Sequence, residues 1–326
     1  MTKQNDLTRR QTLGLLSATA ASLSVMSLPT LAKAPLQGAY QASFRRFKLG
    51  SFEVTTILDG AVQIPGPHPI FGQNQSVEAV EKLARQNSLP AGRMEIGFTP
   101  VIVNTGAELV LFDTGNGEGK RRPKAGLLLA RLSEAGFSPD QIDKVVITHA
   151  HPDHIGGLME GGKPAFPNAR YYMGQIEYDF WADKTKLDDK RFSRVAGLTQ
   201  KNVVPLAPKM TFVKGGDSVA SGITAVPAFG HTPGHMTYHV ESGGKRLFMM
   251  ADTTNHFVVS LQRPDWHVKF DMDKEEAGQT RKKVLDMLAT EKILFTGYHM
   301  PFPALGFIER AGGSYRFVAA SYQLNL

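Results

Sequence analysis

Apolar and polar positions alternate through residues 52–58, a stretch rich in β-branched side chains. This predicts a strand, closed by a turn at Asp59-Gly60. Val77, Val80, Leu83 and Ala84 recur at helical spacing, which predicts a helix over 77–86. Two apolar runs, 98–103 and 108–112, flank Asn104-Thr105-Gly106 and read as a hairpin. A helix follows over 127–135, stopped by Gly136. Residues 144–148, Lys-Val-Val-Ile-Thr, form a short apolar run of the kind buried on both faces of a sheet. The second half repeats the style. Strands are expected at 169–173, 210–213, 223–226, 236–240 and 247–251, helices at 175–181 and 274–289, and a last buried strand at 293–296. Two strand-rich halves, each flanked by helices, predict an α/β class chain: two mixed sheets packed together with helices on the outer faces, an α/β/β/α sandwich.

Composition adds bounds to this pattern. With 326 residues, 42% hydrophobic and 21% charged, the chain can bury a core without staples. It has no cysteine, which removes disulfides, thiolate metal sites and cysteine nucleophiles together. The net charge is +7. Residues 1–34 hold Lys3, Arg9, Arg10 and Lys33 against Asp6, a net +3, so the remainder carries only +4. Two short basic runs stand out. Lys120-Arg121-Arg122 reads as a solvated loop and Arg281-Lys282-Lys283 as an exposed helix face. Neither is dense enough for a nucleic-acid footprint, so no nucleic-acid partner is expected.

The first 34 residues read as a targeting segment. Thr8-Arg9-Arg10-Gln11-Thr12-Leu13 supplies a twin arginine, a weakly apolar stretch follows to Leu28, and small residues stand at Ala32 and Ala34. The stretch is short for a membrane span. A twin-arginine-type signal over 1–34 and a single folded domain over 35–326 are therefore expected. The export machinery would be a partner and the destination periplasmic or secreted.

The densest chemistry lies in Thr148-His149-Ala150-His151-Pro152-Asp153-His154, three imidazoles and a carboxylate just after a predicted buried strand. His149 and His151 are two apart, so an extended backbone points them the same way. Pro152 turns the chain and re-aims Asp153 and His154, and Gly156-Gly157 permits close backbone approach. Imidazole and carboxylate ligands suit Zn, Mn, Fe or Co. Three more candidates end predicted strands or turns: His231 in Phe229-Gly230-His231-Thr232-Pro233-Gly234-His235, Asp252 after 247–251, and His299 after the final run. Strand C-terminal ends are where open α/β sheets build their sites.

The series His-x-His-x-Asp-His, Gly-His-Thr-Pro-Gly-His, a strand-end Asp and a late His resembles the metallo-β-lactamase-fold hydrolases, over about residues 44 to 320. Within them the chain looks most similar to methyl parathion hydrolase and related lactonase-like enzymes. The stretches carrying this are 147–159, Ala165-Phe166-Pro167-Asn168-Ala169, Asp179-Phe180-Trp181, 230–242, Phe302-Pro303 and Tyr315-Arg316-Phe317-Val318.

The resemblance implies two divalent metal ions, zinc first among the candidates. His149, His151 and His231 would hold one, Asp153, His154 and His299 the other, and Asp252 would bridge them. It implies a metal-bridging hydroxide acting on a lactone, ester or phosphotriester, a small-molecule substrate. Asp252 and Asp153 would be the catalytic carboxylates, with Asp153 able to steer a proton to the leaving group. His235 is expected to be a supporting group and Asp113 a buried carboxylate orienting a ligand imidazole. Trp181 and Phe192 are matched to pocket aromatics. The resemblance also allows a homodimer.

Three positions depart from the family pattern. Ala251 precedes Asp252 where glycine is common, the 116–124 loop is charged where the organophosphate enzyme has apolar pocket residues, and His256 is an additional histidine near the site. Other chemistries on the same fold are a β-lactamase, a glyoxalase-type thioesterase and a mononuclear iron dioxygenase. A periplasmic metal-binding protein without turnover is the non-enzymatic alternative.

Overall fold

Residues 34, 36, 38, 40–121 and 124–325 are described by the structure, a computed structural model. The expected export signal lies outside these residues except for Ala34. The chain divides after Gln41, and the unit from Ala42 onward carries everything below.

Among the described residues there are eighteen strands and seven α-helices. In chain order the first half runs β1 (Phe44–Leu49), β2 (Phe52–Ile57), β3 (Gly60–Pro65), α1 (Val77–Gln86), β4 (Arg93–Phe98), β5 (Val101–Asn104), β6 (Leu109–Phe112), α2 (Leu128–Glu134), β7 (Lys144–Ile147) and α3 (Pro152–Ile155). It continues through β8 (Met159–Glu160), β9 (Lys163–Pro164), β10 (Arg170–Gly174), α4 (Gln175–Ala182), α5 (Ser193–Asn202) and β11 (Met210–Val213). The second half is β12 (Ser218–Ala220), β13 (Ile223–Pro227), β14 (Met236–Ser242), β15 (Lys245–Ala251), α6 (Val259–Gln262), α7 (Lys274–Glu291), β16 (Leu294–Gly297), β17 (Leu305–Ala311) and β18 (Ser314–Ala319).

Two seven-stranded sheets result, in the orders β1-β2-β5-β6-β7-β10-β11 and β12-β13-β14-β15-β16-β17-β18. Both are mixed. β6, β7, β10 and β11 pair in parallel in the first, and β15 with β16 in the second. Period-two alternation decides what each face meets. Val101, Val103, Val110, Phe112 and Val146 face Ile223, Tyr238, Val240, Leu247 and Met249 across the inter-sheet core. The neighbours Ile102, Leu111, Val145 and Ile147 turn the other way, against Leu128 and Leu132 of α2 and Trp181 of α4. On the far side, Phe248, Met250 and Phe295 meet Leu285 and Leu288 of α7. This is the α/β/β/α arrangement expected from the sequence, with each sheet's outer face covered by helices.

Several boundaries differ from the sequence reading. Asp59 does not close a turn. It is buried and accepts hydrogen bonds from the backbone N–H groups of Asn116, Gly126 and Leu128, and the chain continues into β3. The expected strand 98–103 is two strands, because Thr99-Pro100 passes between the two-stranded β3–β4 sheet and the main sheet. Strand 293–296 is not the last, since β17 and β18 follow. β1, β4 and α5 also escaped the reading. Arg281 is not on an exposed face: only 1% of it is accessible, while Lys282 and Lys283 are exposed. Arg121, by contrast, is exposed as expected and pairs with Glu160 at 2.9 Å.

Candidate metal centre

The seven ligand-type side chains converge from four places in the fold. β7 ends at Ile147, and Thr148 to Ala150 leave the sheet edge in irregular backbone. His151 is extended, with φ −66° and ψ 152°, as the residue before a proline prefers, and Pro152 then opens the short helix α3. The change of backbone sends His151 one way and Asp153 and His154 another. Gly156-Gly157 lets this loop sit against the segment after β6: a Cβ at Gly157 would stand 2.0 Å from the Thr114 carbonyl oxygen. His231 comes from the turn between β13 and β14, Asp252 directly follows β15, and His299 follows β16 by two residues.

The result is two groups. His149, His151, His231 and Asp252 form one, and Asp153, His154 and His299 the other. In each, one ligand atom per residue lies within 4.8 Å of the rest. Asp252 faces both: its Oδ1 is 3.4 Å from His154 Nε2, and its Oδ2 is 3.3 Å from His231 Nε2 and 3.1 Å from His299 Nε2.

The tautomers follow from what stands behind each ring. His154 Nδ1 donates to Asp113 at 2.8 Å, His231 Nδ1 to Asp271 at 2.8 Å, and His299 Nδ1 to the Gly97 carbonyl at 2.8 Å. The Thr148 hydroxyl spends its proton on Asp113, so at 3.1 Å it accepts from His149 Nδ1. All four rings therefore turn Nε2 inward. His151 presents Nδ1 instead, 3.0 Å from His231 Nε2. Asp113 thus orients two imidazoles, one directly and one through Thr148. It does so from left-handed backbone, with φ 58°.

Three buried inward atoms have no hydrogen-bond partner: His149 Nε2, His154 Nε2 and Asp252 Oδ1. Buried polar atoms are normally paired, and an orphaned set of nitrogen and carboxylate donors around one point is what a divalent cation requires. The residues present fit the metal. The electrostatics of the metal-free cluster set the imidazoles apart: burial opposes charge on His154 and His299, but Asp252 and the neighbouring carboxylates outweigh it and raise both, so on these rings a cation would replace a proton. Desolvation, then the neighbouring imidazoles His154 and His231, hold His149 and His151 well below the ordinary imidazole value. Burial opposes charge on His231 as well, but hydrogen bonds to Asp252 and Asp271 push it up to about 9. Burial likewise opposes ionisation of Asp252, and is outweighed by His299 and His154, which leave it well below the usual carboxylate range.

The chain matches the family model described as the metallo-beta-lactamase superfamily over residues 99–297. It belongs to that superfamily. The match spans every residue from Asp113 to Asp252 discussed above. Among solved structures, the chain is similar to AidC, described as a dizinc quorum-quenching lactonase in complex with a product. The two are 29% identical with a TM-score of 0.81, over 86% of this chain and 98% of that one. It is also similar to the hydrolase AbOPH of the beta-lactamase superfamily, at 25% identity and a TM-score of 0.81, over 87% and 99% of the two chains. A probable metallo-hydrolase of Mycobacterium tuberculosis is 26% identical over 179 residues, which is 48% of this chain and 56% of the relative. The chain thus spans just over half the length of the curated relatives it matches.

Within this superfamily member, the remaining candidates separate clearly. His235 lies outside both groups. Its Nδ1 donates to the Ala228 carbonyl at 3.0 Å and its Nε2 accepts from the Asp252 backbone N–H at 3.2 Å, so it holds the backbone of the shared carboxylate. Burial first, and His231 second, lower it to about 3 and keep it neutral. His256 is not in the cluster either. Its Nδ1 accepts from the backbone N–H groups of Val258 and Val259 at the start of α6. It helps line a cavity of about 440 Å³, together with Leu89, Met94, Phe257 and Val259. Trp181 and Phe192 do not line that cavity. Trp181 is 2% exposed in the core beneath α4, and Phe192 packs on it with ring centroids 5.8 Å apart.

The indole N–H of Trp181 leads to a residue that sequence reasoning missed. Glu177 is fully buried. Its Oε1 accepts from Ala150 N and Trp181 Nε1, both at 2.9 Å, and its Oε2 from Thr232 Oγ1 at 2.8 Å and Gly234 N at 2.9 Å. It therefore ties the His149–His154 loop to the His231 turn. Asp271, behind His231, and Asn255, which donates to Asp252 Oδ2 at 2.9 Å, were missed too. A glutamate in a helix and an aspartate in Phe270-Asp271-Met272-Asp273 carry no local signal of such roles.

Proposed function

We propose that this metallo-hydrolase fold holds two divalent metal ions, zinc first among the candidates, and hydrolyses a small lactone, ester or phosphotriester. The observation that carries the reading is the pair of ligand groups meeting at Asp252, with orphaned donor atoms on both sides of it. His149, His151 and His231 would hold one ion, Asp153, His154 and His299 the other, and Asp252 both.

Bound metal supplies a water activated near neutral pH and polarises the carbonyl or phosphoryl oxygen under attack. The chain's residues do the rest. Asp113, Asp271 and Gly97 each hold an Nδ1, so that Nε2 is the atom turned to face an ion on three of the rings. Asp153 keeps 22% of its side chain accessible, more than Asp252 or His299, and is the carboxylate that could pass a proton towards a leaving group. The 440 Å³ cavity holds none of the seven ligands, but its wall includes β4, whose Gly97 carbonyl holds His299, and His256, four residues after Asp252; its apolar lining suits an acyl or aryl group. Likeness to a dizinc lactonase favours the lactone among the three substrate classes. On this reading residues 1–34 direct export and the enzyme works outside the cytoplasm.

The test is metal content per chain together with hydrolysis of N-hexanoyl homoserine lactone, an aryl ester and methyl parathion. Two metals per chain, with turnover lost on chelation and restored by zinc, are expected. One iron with oxygen uptake, or no metal and no turnover, would overturn the proposal.

A further inference from the structure

Arg281 sits near the middle of α7, yet its guanidinium is buried and each of its three nitrogens donates a hydrogen bond. Nε donates to the Thr253 carbonyl at 3.0 Å, Nη1 to the Pro264 carbonyl at 2.8 Å, and Nη2 to Asp271 Oδ2 at 2.7 Å. The other oxygen of Asp271 receives His231 Nδ1. Thr253 directly follows Asp252. One side chain thus grips the carboxylate behind His231 and the backbone just after Asp252, two members of the same ligand group, whose Nε2 and Oδ2 are 3.3 Å apart.

The same face of α7 seats the turn that carries His231. Thr280 Oγ1 donates to the Phe229 carbonyl at 2.8 Å, and a Cβ on Gly230 would stand 2.2 Å from Ala277 N. Asp271 alone would orient an imidazole. Arg281 adds a common anchor for the imidazole and the shared carboxylate, which arrive from different strands. The planar fork matters here, because three acceptors at fixed angles match a guanidinium and not the point charge of a lysine.

We infer that Arg281 is a positioning residue of the metal centre, setting His231 through Asp271 and Asp252 through the Thr253 carbonyl. This rests on the reading of the cluster as a two-metal centre. Buried groups of this kind behind metal ligands change affinity by about 10- to 100-fold when removed.

The test is titration of the metal-free full chain with cobalt(II), reading visible d–d absorption and equivalents bound in competition with a chelator. Arg281→Met and Arg281→Lys are compared with the parent, with circular dichroism checking each fold. The parent should take two equivalents. Arg281→Met should hold one of them about 10- to 100-fold more weakly, with a changed d–d spectrum. Arg281→Lys should recover part of the loss. A folded Arg281→Met that binds both equivalents with the parent spectrum overturns the inference alone. Should Arg281→Met not fold, Arg281→Lys decides, because it keeps the charge and the stem on α7 and removes only the fork that reaches all three acceptors. Parent-like binding by that variant overturns the inference, and one weakened equivalent supports it. A parent chain that takes up no cobalt overturns the two-metal reading and this inference with it.

Discussion

Glu177 offers the sharpest test of how the centre is held. Its carboxylate is buried, and burial raises its pKa above the ordinary glutamate value despite the four hydrogen bonds that oppose the rise, from Ala150, Thr232, Gly234 and Trp181. The negative charge is therefore no net asset to the fold. What the fold needs is four lone-pair sites in that place, because four donors from two loops and a helix end there. This separates two substitutions. In Glu177→Gln one oxygen becomes an NH₂ group. If that group faces Thr232, the hydroxyl can turn and accept from it, and only the Gly234 N–H loses its partner. A single orphaned buried donor costs about 1–3 kcal/mol. In Glu177→Ala all four donors are orphaned. Even at the low end of the same range the loss is at least about 4 kcal/mol, a large share of the 5–15 kcal/mol or so that holds a typical domain folded.

The assay is urea unfolding of the metal-free chain in chelator, which keeps metal affinity out of the comparison. Glu177→Gln should shift the midpoint modestly at constant slope, and Glu177→Ala severely. Zinc titration of the folded variants should then show weakened binding, because Ala150 separates His149 from His151 and Thr232 adjoins His231. Equal destabilisation by the two variants would refute the argument, since it would make the charge and not the acceptor count the deciding factor.

Two further outcomes follow from backbone and burial. Ala251 occupies left-handed backbone at φ 44°, a conformation that costs a non-glycine residue roughly 1–2 kcal/mol. Ala251→Gly should be neutral or stabilising by up to about 1 kcal/mol once the added freedom of the unfolded chain is offset, and Ala251→Val should be clearly destabilising. A glycine variant with a markedly lower Tm would contradict the assignment of strain to this position. His256 is lowered by burial to about 4, so the fold keeps it neutral while the unfolded chain binds a proton below about 6.5. Its contribution to stability is present above pH 6.5 and is lost as pH falls to about 4, roughly 3 kcal/mol in all. In His256→Asn, where an oxygen can still accept from Val258 and Val259, urea midpoints measured across that window should fall less steeply with pH. An unchanged slope would count against it.

The division between what the chain's pattern announced and what it concealed has a physical basis. Metal ligands must be several, of few chemical types, and exposed to a shared point. Strand ends supply such positions, so His149 to His154, His231, Asp252 and His299 each stand after an apolar run that can be read locally. The sandwich was legible for the same reason. Alternation along β5, β6, β7 and β15 states which residues face the other sheet and which face helices. β17 and β18 were not legible, because their exposed ends, Glu309-Arg310-Ala311 and Gly312-Gly313, break the apolar pattern.

The supporting residues were concealed because each owes its role to a partner 10 to 57 positions away: Glu177 to Gly234, Asp271 to His231, Arg281 to Asp271. A lone charged residue in a helix is usually solvated, and Lys282 and Lys283 beside Arg281 are. Trp181 is a different case. Likeness to a pocket aromatic gave its expected role, and the structure adds a second one, an indole N–H bound to the carboxylate that joins two loops. The part of a metal centre that touches metal is thus written in local motifs. The part that holds it rigid is written in single residues on the surrounding helices α4 and α7 and the loop before α7, and variation there would alter the centre while leaving the ligand motif intact.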